Sequence, residues 1–212
     1  MVEIVPTVTA ETPAEFATQI DRVENLAERL HVDLADGQFV PRRLLGPAQI
    51  YGLEGVPLDL HLMVEDPMTE FETIVALHPS LVIVHAEAKG DLMTVFGQLR
   101  QFGIKPGLAL LPETTVSQVT QLLPYVDHLL IFTGRNLGSQ GGGFTAAGLA
   151  KIPEALAINP KLEVAVDGGI DPESARLAVA AGAQVLDCGS FIQSAMDPAA
   201  AYAELVKIGQ TL

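Results

Sequence analysis

Short apolar runs alternate with amphipathic segments along the whole chain, and no other feature limits the fold as tightly. Ile4 to Val8, Leu30 to Leu34, Leu58 to Val64, Leu81 to His85, Leu108 to Leu111, Val126 to Phe132, Leu162 to Val166 and Val185 to Cys188 read as strands. Between them lie helical patterns. The first runs from Pro13 to Arg29 with Phe16, Ile20, Val23 and Leu26 apolar, and a short helix follows the second strand near Ala48. The others are Met68 to Leu77, Asp91 to Phe102, Thr115 to Leu123, Ala146 to Ala157, Pro172 to Ala181 and Ala199 to Ile208. Strand-helix units averaging about 26 residues, eight in succession, predict an α/β chain folded as a (β/α)8 TIM barrel. A doubly wound open sheet also alternates, but with fewer strands and a different glycine fingerprint. No linker or shift of composition divides the chain, so residues 1–212 are expected to form one domain.

At 212 residues the chain is long enough to bury a sizeable core, and 49% of it is hydrophobic. No apolar run reaches the roughly 20 residues of a membrane span, and no basic-then-apolar signal opens the chain. The single Cys188 excludes an internal disulfide and suits a reducing cytoplasm, the expected location. A net charge of −14 argues against a nucleic-acid partner, which needs clustered Lys and Arg. A small phosphorylated ligand remains open to it, because backbone amides bind phosphate locally.

In such barrels the chemistry collects at the C-terminal ends of the strands. Strand 2 carries His31 and Asp33 on the face opposite Leu30, Val32 and Leu34, and Asp36-Gly37 then turns the chain. An imidazole and a carboxylate side by side on an inward face need either each other, as a structural pair, or a metal. A second His, His61, stands on strand 3 with Met63, and strand 7 ends at Asp167 before Gly168-Gly169. Thr7 closes strand 1, and Gly189-Ser190 follow strand 8. Two His and two Asp from three strand ends, His31, Asp33, His61 and Asp167, suit one divalent metal with open positions for substrate. Mixed imidazole and carboxylate ligands fit Zn, Fe, Mn or Co. His78 and His128 read as surface or helix-end residues, and His85, near Glu87, as a supporting residue rather than a ligand.

His31–Gly37, Leu58–Pro67 (LDLHLMVEDP), Lys105–Leu110 (KPGLAL), Val166–Ile170 (VDGGI) and Ala180–Ser190 (AAGAQVLDCGS) together resemble ribulose-phosphate 3-epimerases, in the right order through nearly the whole chain. The resemblance implies a barrel of the ribulose-phosphate-binding type, with a metal on His31, Asp33, His61 and Asp167. It implies that Asp33 and Asp167 act as acid and base on opposite faces of the sugar. The reaction would be epimerisation at C3 of a ketose phosphate, most simply D-ribulose 5-phosphate to D-xylulose 5-phosphate, through a metal-stabilised enediolate. Inverting a carbon beside a ketone does require proton removal on one face and return on the other, which one base cannot easily manage. The family's phosphate loops correspond here to Gly141, Gly142 and Gly143, to Gly168 and Gly169, and to Gly189 and Ser190. Its members usually form homo-oligomers.

The chain departs from the family pattern in the walls around the sugar. Thr7 replaces a Ser, Ala35 and Phe132 stand where Met is usual, and Thr133–Phe144 replaces the usual loop after strand 6. These changes bear on substrate identity more than on chemistry. They leave open a diverged barrel that takes another ketose phosphate or binds a phosphosugar without turnover. Related decarboxylases and aldolases use Asp-x-Lys on strand 3, where this chain has Asp59-Leu60-His61.

Overall fold

The structure, a computed structural model, describes every residue except Glu54, Gln140, Gly142, Thr211 and Leu212. Eight parallel strands close into a barrel: β1 (Glu3–Val8), β2 (Leu30–Ala35), β3 (Leu58–Met63), β4 (Leu81–His85), β5 (Lys105–Leu110), β6 (His128–Phe132), β7 (Glu163–Asp167) and β8 (Val185–Cys188). Closure is made by β8 pairing with β1, Glu3 opposite Val185 and Pro6 opposite Cys188, which excludes the open sheet. Parallel strands covered by helices are buried on both faces, so they read as unbroken apolar runs. Inside the barrel Val5, Leu81, Ile83, Leu130, Ala165 and Val185 form one cluster, and a larger apolar layer fills the space between strands and helices.

The helices are α1 (Pro13–Val23), α2 (Phe71–Ala76), α3 (Leu92–Gln101), α4 (Val116–Val119), α5 (Lys151–Ile158), α6 (Pro172–Ala181), α7 (Ser190–Gln193) and α8 (Pro198–Gly209). Three of them start the same way. Thr12, Asp171 and Asp197 each accept a backbone N–H and are followed by Pro at the first helical position. None is long and apolar enough to cross a membrane.

Several boundaries differ from the sequence reading. The first helix stops at Val23 because the chain turns at Glu24–Leu26 and becomes extended in time to place Arg29 under the barrel. The expected helix over Thr115–Leu123 is one turn, followed by a 3₁₀ turn at Leu123–Tyr125, since Pro124 cannot continue an α-helix ladder. Strand β5 begins at Lys105, three residues before the expected Leu108, so Pro106 and Gly107 lie within it. Gly107 is demanded by packing, not by a turn: a Cβ there would sit 2.9 Å from Ile83 Cγ1 inside the barrel. Helix α7, between β8 and α8, was not expected.

The mouth opposite the strands' C-terminal ends is closed by charge. Arg29 donates to Asp59 (2.7 Å), Glu3 (2.9 Å) and Glu163 (2.8 Å), and His128 Nδ1 meets Glu163 at 2.8 Å. His128 is therefore a correction to the sequence reading. It is 1% exposed at the foot of β6, while His78 is exposed after α2. Burial pushes Asp59 up to about 6 although Arg29 pulls the other way. Burial also works against charge on Glu163, but hydrogen bonds from His128 and Arg29 outweigh it and hold that carboxyl well below its usual range.

Candidate active site

Strand register builds the site at the other mouth. Pairing of β2 with β3 sets Asp33 beside His61 and His31 beside Asp59, while β7 ends with Asp167 opposite Phe132 on one side and Asp187 on the other. Asp33 lies at the centre. Its Oδ1 lies 3.2 Å from His31 Nε2 and 2.9 Å from His61 Nδ1, and its Oδ2 accepts the Thr9 hydroxyl at 2.7 Å. One ligand atom from each of His31, Asp33, His61 and Asp167 can be chosen so that all lie within 4.8 Å of one another. Donors about 2.0–2.2 Å from a common centre are at most about 4.4 Å apart. The 4.8 Å limit on this set is a few tenths of an ångström wider, so a small closing of the side chains would let the four residues hold one small divalent ion.

The two carboxylates have opposite proton affinities. Burial disfavours charge on Asp33, yet the adjoining His31 and His61 rings overcome it and keep the group well below the usual carboxylate range. Burial, reinforced by the negative charge of Asp33, holds Asp167 well above that range. Burial also lowers His61 to about 4, against the pull of Asp33, whereas His31 is raised well above its ordinary value because Asp187 and Asp33 outweigh its burial. His61 Nε2 lies 2.9 Å from His85 Nε2, and His85 Nδ1 lies 3.3 Å from Glu87. Glu87 is itself fixed by the Leu111 amide and the Thr114 hydroxyl. A proton on His85 Nδ1 directed at Glu87 leaves His85 Nε2 to accept from His61, whose Nδ1 lone pair then faces Asp33.

A cleft opens above the four residues. Thr7, Asp33, Met63, Gly141, Asp167, Gly168, Gly169, Gly189 and Ser190 line it, each singled out from the sequence. His31 and His61 lie beneath it, fully buried. Gly143 does not line it, and Gly142 lies outside the described residues. Gly143 acts on the next turn instead: a Cβ on Gly169, whose φ is +73°, would sit 2.2 Å from the Gly143 carbonyl oxygen. The loop after β6 thus lies directly on the turn after β7, an approach only glycine permits. Ala35, Val40, Leu44 and Met63 pack as one apolar group, with Leu137 of the β6 loop against it.

The sequence reading missed Thr9, Leu137 and Asp187, which also line the cleft. Alternation along Thr7-Val8-Thr9 would have found Thr9, and a carboxylate within the apolar run of β8 would have found Asp187. Three aspartates and no Lys or Arg are among the described cleft residues. So many buried acids need protons or a cation to balance them.

The sequence model of the Ribulose-phosphate 3 epimerase family matches residues 3–193. The chain belongs to this family. It is 31% identical over 214 residues to the ribulose-phosphate 3-epimerase of Bacillus subtilis (strain 168), covering 97% of this chain and 98% of that one. To the chloroplastic ribulose-5-phosphate-3-epimerase of Arabidopsis thaliana it is 32% identical, covering 95% and 74%. Solved structures share the barrel fold at lower identity. A 3-keto-L-gulonate-6-phosphate decarboxylase from Vibrio cholerae O1 biovar El Tor str. N16961 superposes with a TM-score of 0.77 at 13% identity, over 98% and 96% of the two chains. A 3-hexulose-6-phosphate synthase from Salmonella typhimurium gives 0.73 at 18%, over 98% of each. These two likenesses establish the fold alone.

Proposed function

We propose that the chain epimerises C3 of a ketose phosphate, D-ribulose 5-phosphate to D-xylulose 5-phosphate, with Asp33 and Asp167 as its two proton-transfer groups. The observation that carries this reading is their arrangement: two buried carboxylates at the ends of β2 and β7 line one cleft, with the proton affinity of Asp33 driven down and that of Asp167 driven up. A pair whose proton affinities are driven apart is the signature of an assigned base and acid. In one direction Asp33 takes the C3 proton while Asp167 delivers a proton to the opposite face. In the other direction the roles exchange. Thr9 holds the Asp33 carboxylate in place through Oδ2, leaving Oδ1 to the histidines.

His31, Asp33, His61 and Asp167 are the residues that would hold a divalent ion. Bound there, the ion would supply stabilisation of the negative charge that develops on the ketone oxygen. Phosphate would lie toward Gly141, Gly168, Gly169, Gly189 and Ser190, held by backbone amides, since the described cleft residues offer no cationic side chain. The decarboxylase and aldolase chemistry of related barrels is disfavoured by His61, which stands where those enzymes need Lys.

The deciding experiment follows each epimer by proton NMR in heavy water, with and without chelator. Interconversion of ribulose 5-phosphate and xylulose 5-phosphate with deuterium wash-in at C3, lost on chelation, is the expected result. A barrel that binds the phosphosugar without turnover, as the Leu137 and Phe132 walls could allow, would exchange nothing.

A further inference from the structure

His31 has two ring nitrogens and only one can face an ion shared with Asp33. Nε2 is that nitrogen, 3.2 Å from Asp33 Oδ1. Nδ1 points the other way and lies 3.5 Å from Oδ1 of Asp187, at the outer edge of a hydrogen bond. Neither His31 Nδ1 nor either oxygen of Asp187 has a hydrogen-bond partner among the described residues. Yet His31 is 0% and Asp187 1% exposed. Buried polar atoms of this kind are costly to leave unpaired, and a carboxylate costs more than a neutral group. β8 is paired on both sides, Asp187 opposite Val5 of β1 and Asp167 of β7, and this fixes the backbone that carries the carboxylate. Arg29 is no alternative partner, its three nitrogens being engaged by Asp59, Glu3 and Glu163. Among the described residues, His31 is the only cationic or imidazole group within ion-pair distance of Asp187.

We propose that Asp187 is a positioning residue for the metal site: it accepts the Nδ1–H of His31, fixing the ring in the tautomer that turns the Nε2 lone pair toward the ion. This inference rests on the metal reading given above. A carboxylate behind a ligating histidine sets its orientation and raises its basicity. The other ligating histidine is backed in a comparable way, His61 by His85 and Glu87. Each imidazole then has a carboxylate behind it, at one remove for His61 and directly for His31. Asp187 lines the cleft as well, yet the role assigned to it is toward His31 and not toward the sugar.

The test uses metal affinity rather than turnover. The full chain is stripped of metal, and its zinc affinity is measured by competition with a chromophoric chelator. Asp187→Leu should weaken zinc binding by about 10- to 100-fold, the usual effect of losing such a partner. Asp187→Asn, whose amide oxygen still accepts a hydrogen bond, should recover part of that loss. In a His31→Gln background, Asp187→Leu should change affinity little further, since the ring it positions is gone. Nitrogen-proton NMR of the zinc-loaded chain supplies a second readout. The His31 Nδ1–H proton should lie far downfield, move upfield in Asp187→Asn and vanish into exchange in Asp187→Leu. Parental zinc affinity in a folded Asp187→Leu chain would overturn the proposal. So would an unchanged His31 Nδ1–H resonance in Asp187→Asn, the variant that decides if the leucine chain does not fold. His61→Ala separates this from the underlying reading. If the parent binds zinc and His61→Ala does not while Asp187→Leu still does, only the role of Asp187 fails; if the parent binds no zinc, both fail.

Discussion

Arg29→Met removes the guanidinium paired with Asp59 while keeping most of the side-chain volume. Asp59 is 1% exposed and Arg29 14% exposed, whereas Glu3 and Glu163 are 47% and 39% exposed. The magnitude therefore depends mainly on Asp59. Its ordinary value is 3.8 and burial pushes it up to about 6. A carboxyl raised on folding costs stability increasingly as pH climbs from its unfolded to its folded value, and the cost then levels off. At about 1.4 kcal/mol per pH unit, the parent carries about 3 kcal/mol of this cost, constant above pH 6. Without Arg29 the buried carboxyl keeps its proton to higher pH, as buried acids do, so the cost continues to about 4 kcal/mol at pH 7 and about 6 kcal/mol at pH 8. The two half-exposed arms add roughly 0.2–1 kcal/mol each after solvent screening.

The variant should thus lose about 1 kcal/mol at pH 5, about 2–3 kcal/mol at pH 7 and about 4 kcal/mol at pH 8. Protonation of Asp59 keeps the neutral-pH loss below the ~3–5 kcal/mol typical of breaking a buried ion pair. Urea unfolding of parent and variant at the three pH values measures it. Arg29→Met/Asp59→Asn should recover most of the pH 8 loss. A gap of equal size at pH 5 and pH 8, or a double variant no better than Arg29→Met, would refute the reasoning.

Asp167→Asn should keep the cleft's shape yet lower turnover by about 10²- to 10⁴-fold through loss of one proton-transfer group. It should still wash deuterium into C3 of one epimer by proton NMR, and parental interconversion of both epimers would exclude the two-base reading. Thr9→Val removes the bond to Asp33 Oδ2 and should lower kcat by roughly tenfold, the worth of one hydrogen bond to a charged group, with an unchanged melting temperature to within a few degrees. Gly169→Ala would put a methyl group 2.2 Å from the Gly143 carbonyl at a φ of +73°, so the β6 loop must shift. Its KM for the ketose phosphate should rise more than its kcat falls, and a parental KM would show that these turns do not hold the phosphate end.

What could be read from the sequence, and what could not, divides by the range over which each feature is encoded. The strands were legible because a covered parallel strand is apolar on both faces, and His31 and Asp33 because period-2 alternation puts both on one side of β2. Pro106 and Gly107 misled the reading, since they look like a turn locally and only the nearness of Ile83 shows why a strand needs a residue without a side chain there. His128 was misplaced for a like reason: its partner Glu163 lies 35 residues away, and Glu163 is also bound by Arg29 from 134 residues away. The same distance in sequence hid Asp187 from His31. Barrel closure brings β8 to β1 and so to the neighbourhood of β2, and no local window contains that step. Yet the need for such a partner was local. A carboxylate inside Val185–Cys188 and an imidazole inside Leu30–Leu34 each require a buried partner, and a closed barrel offers them few groups except each other.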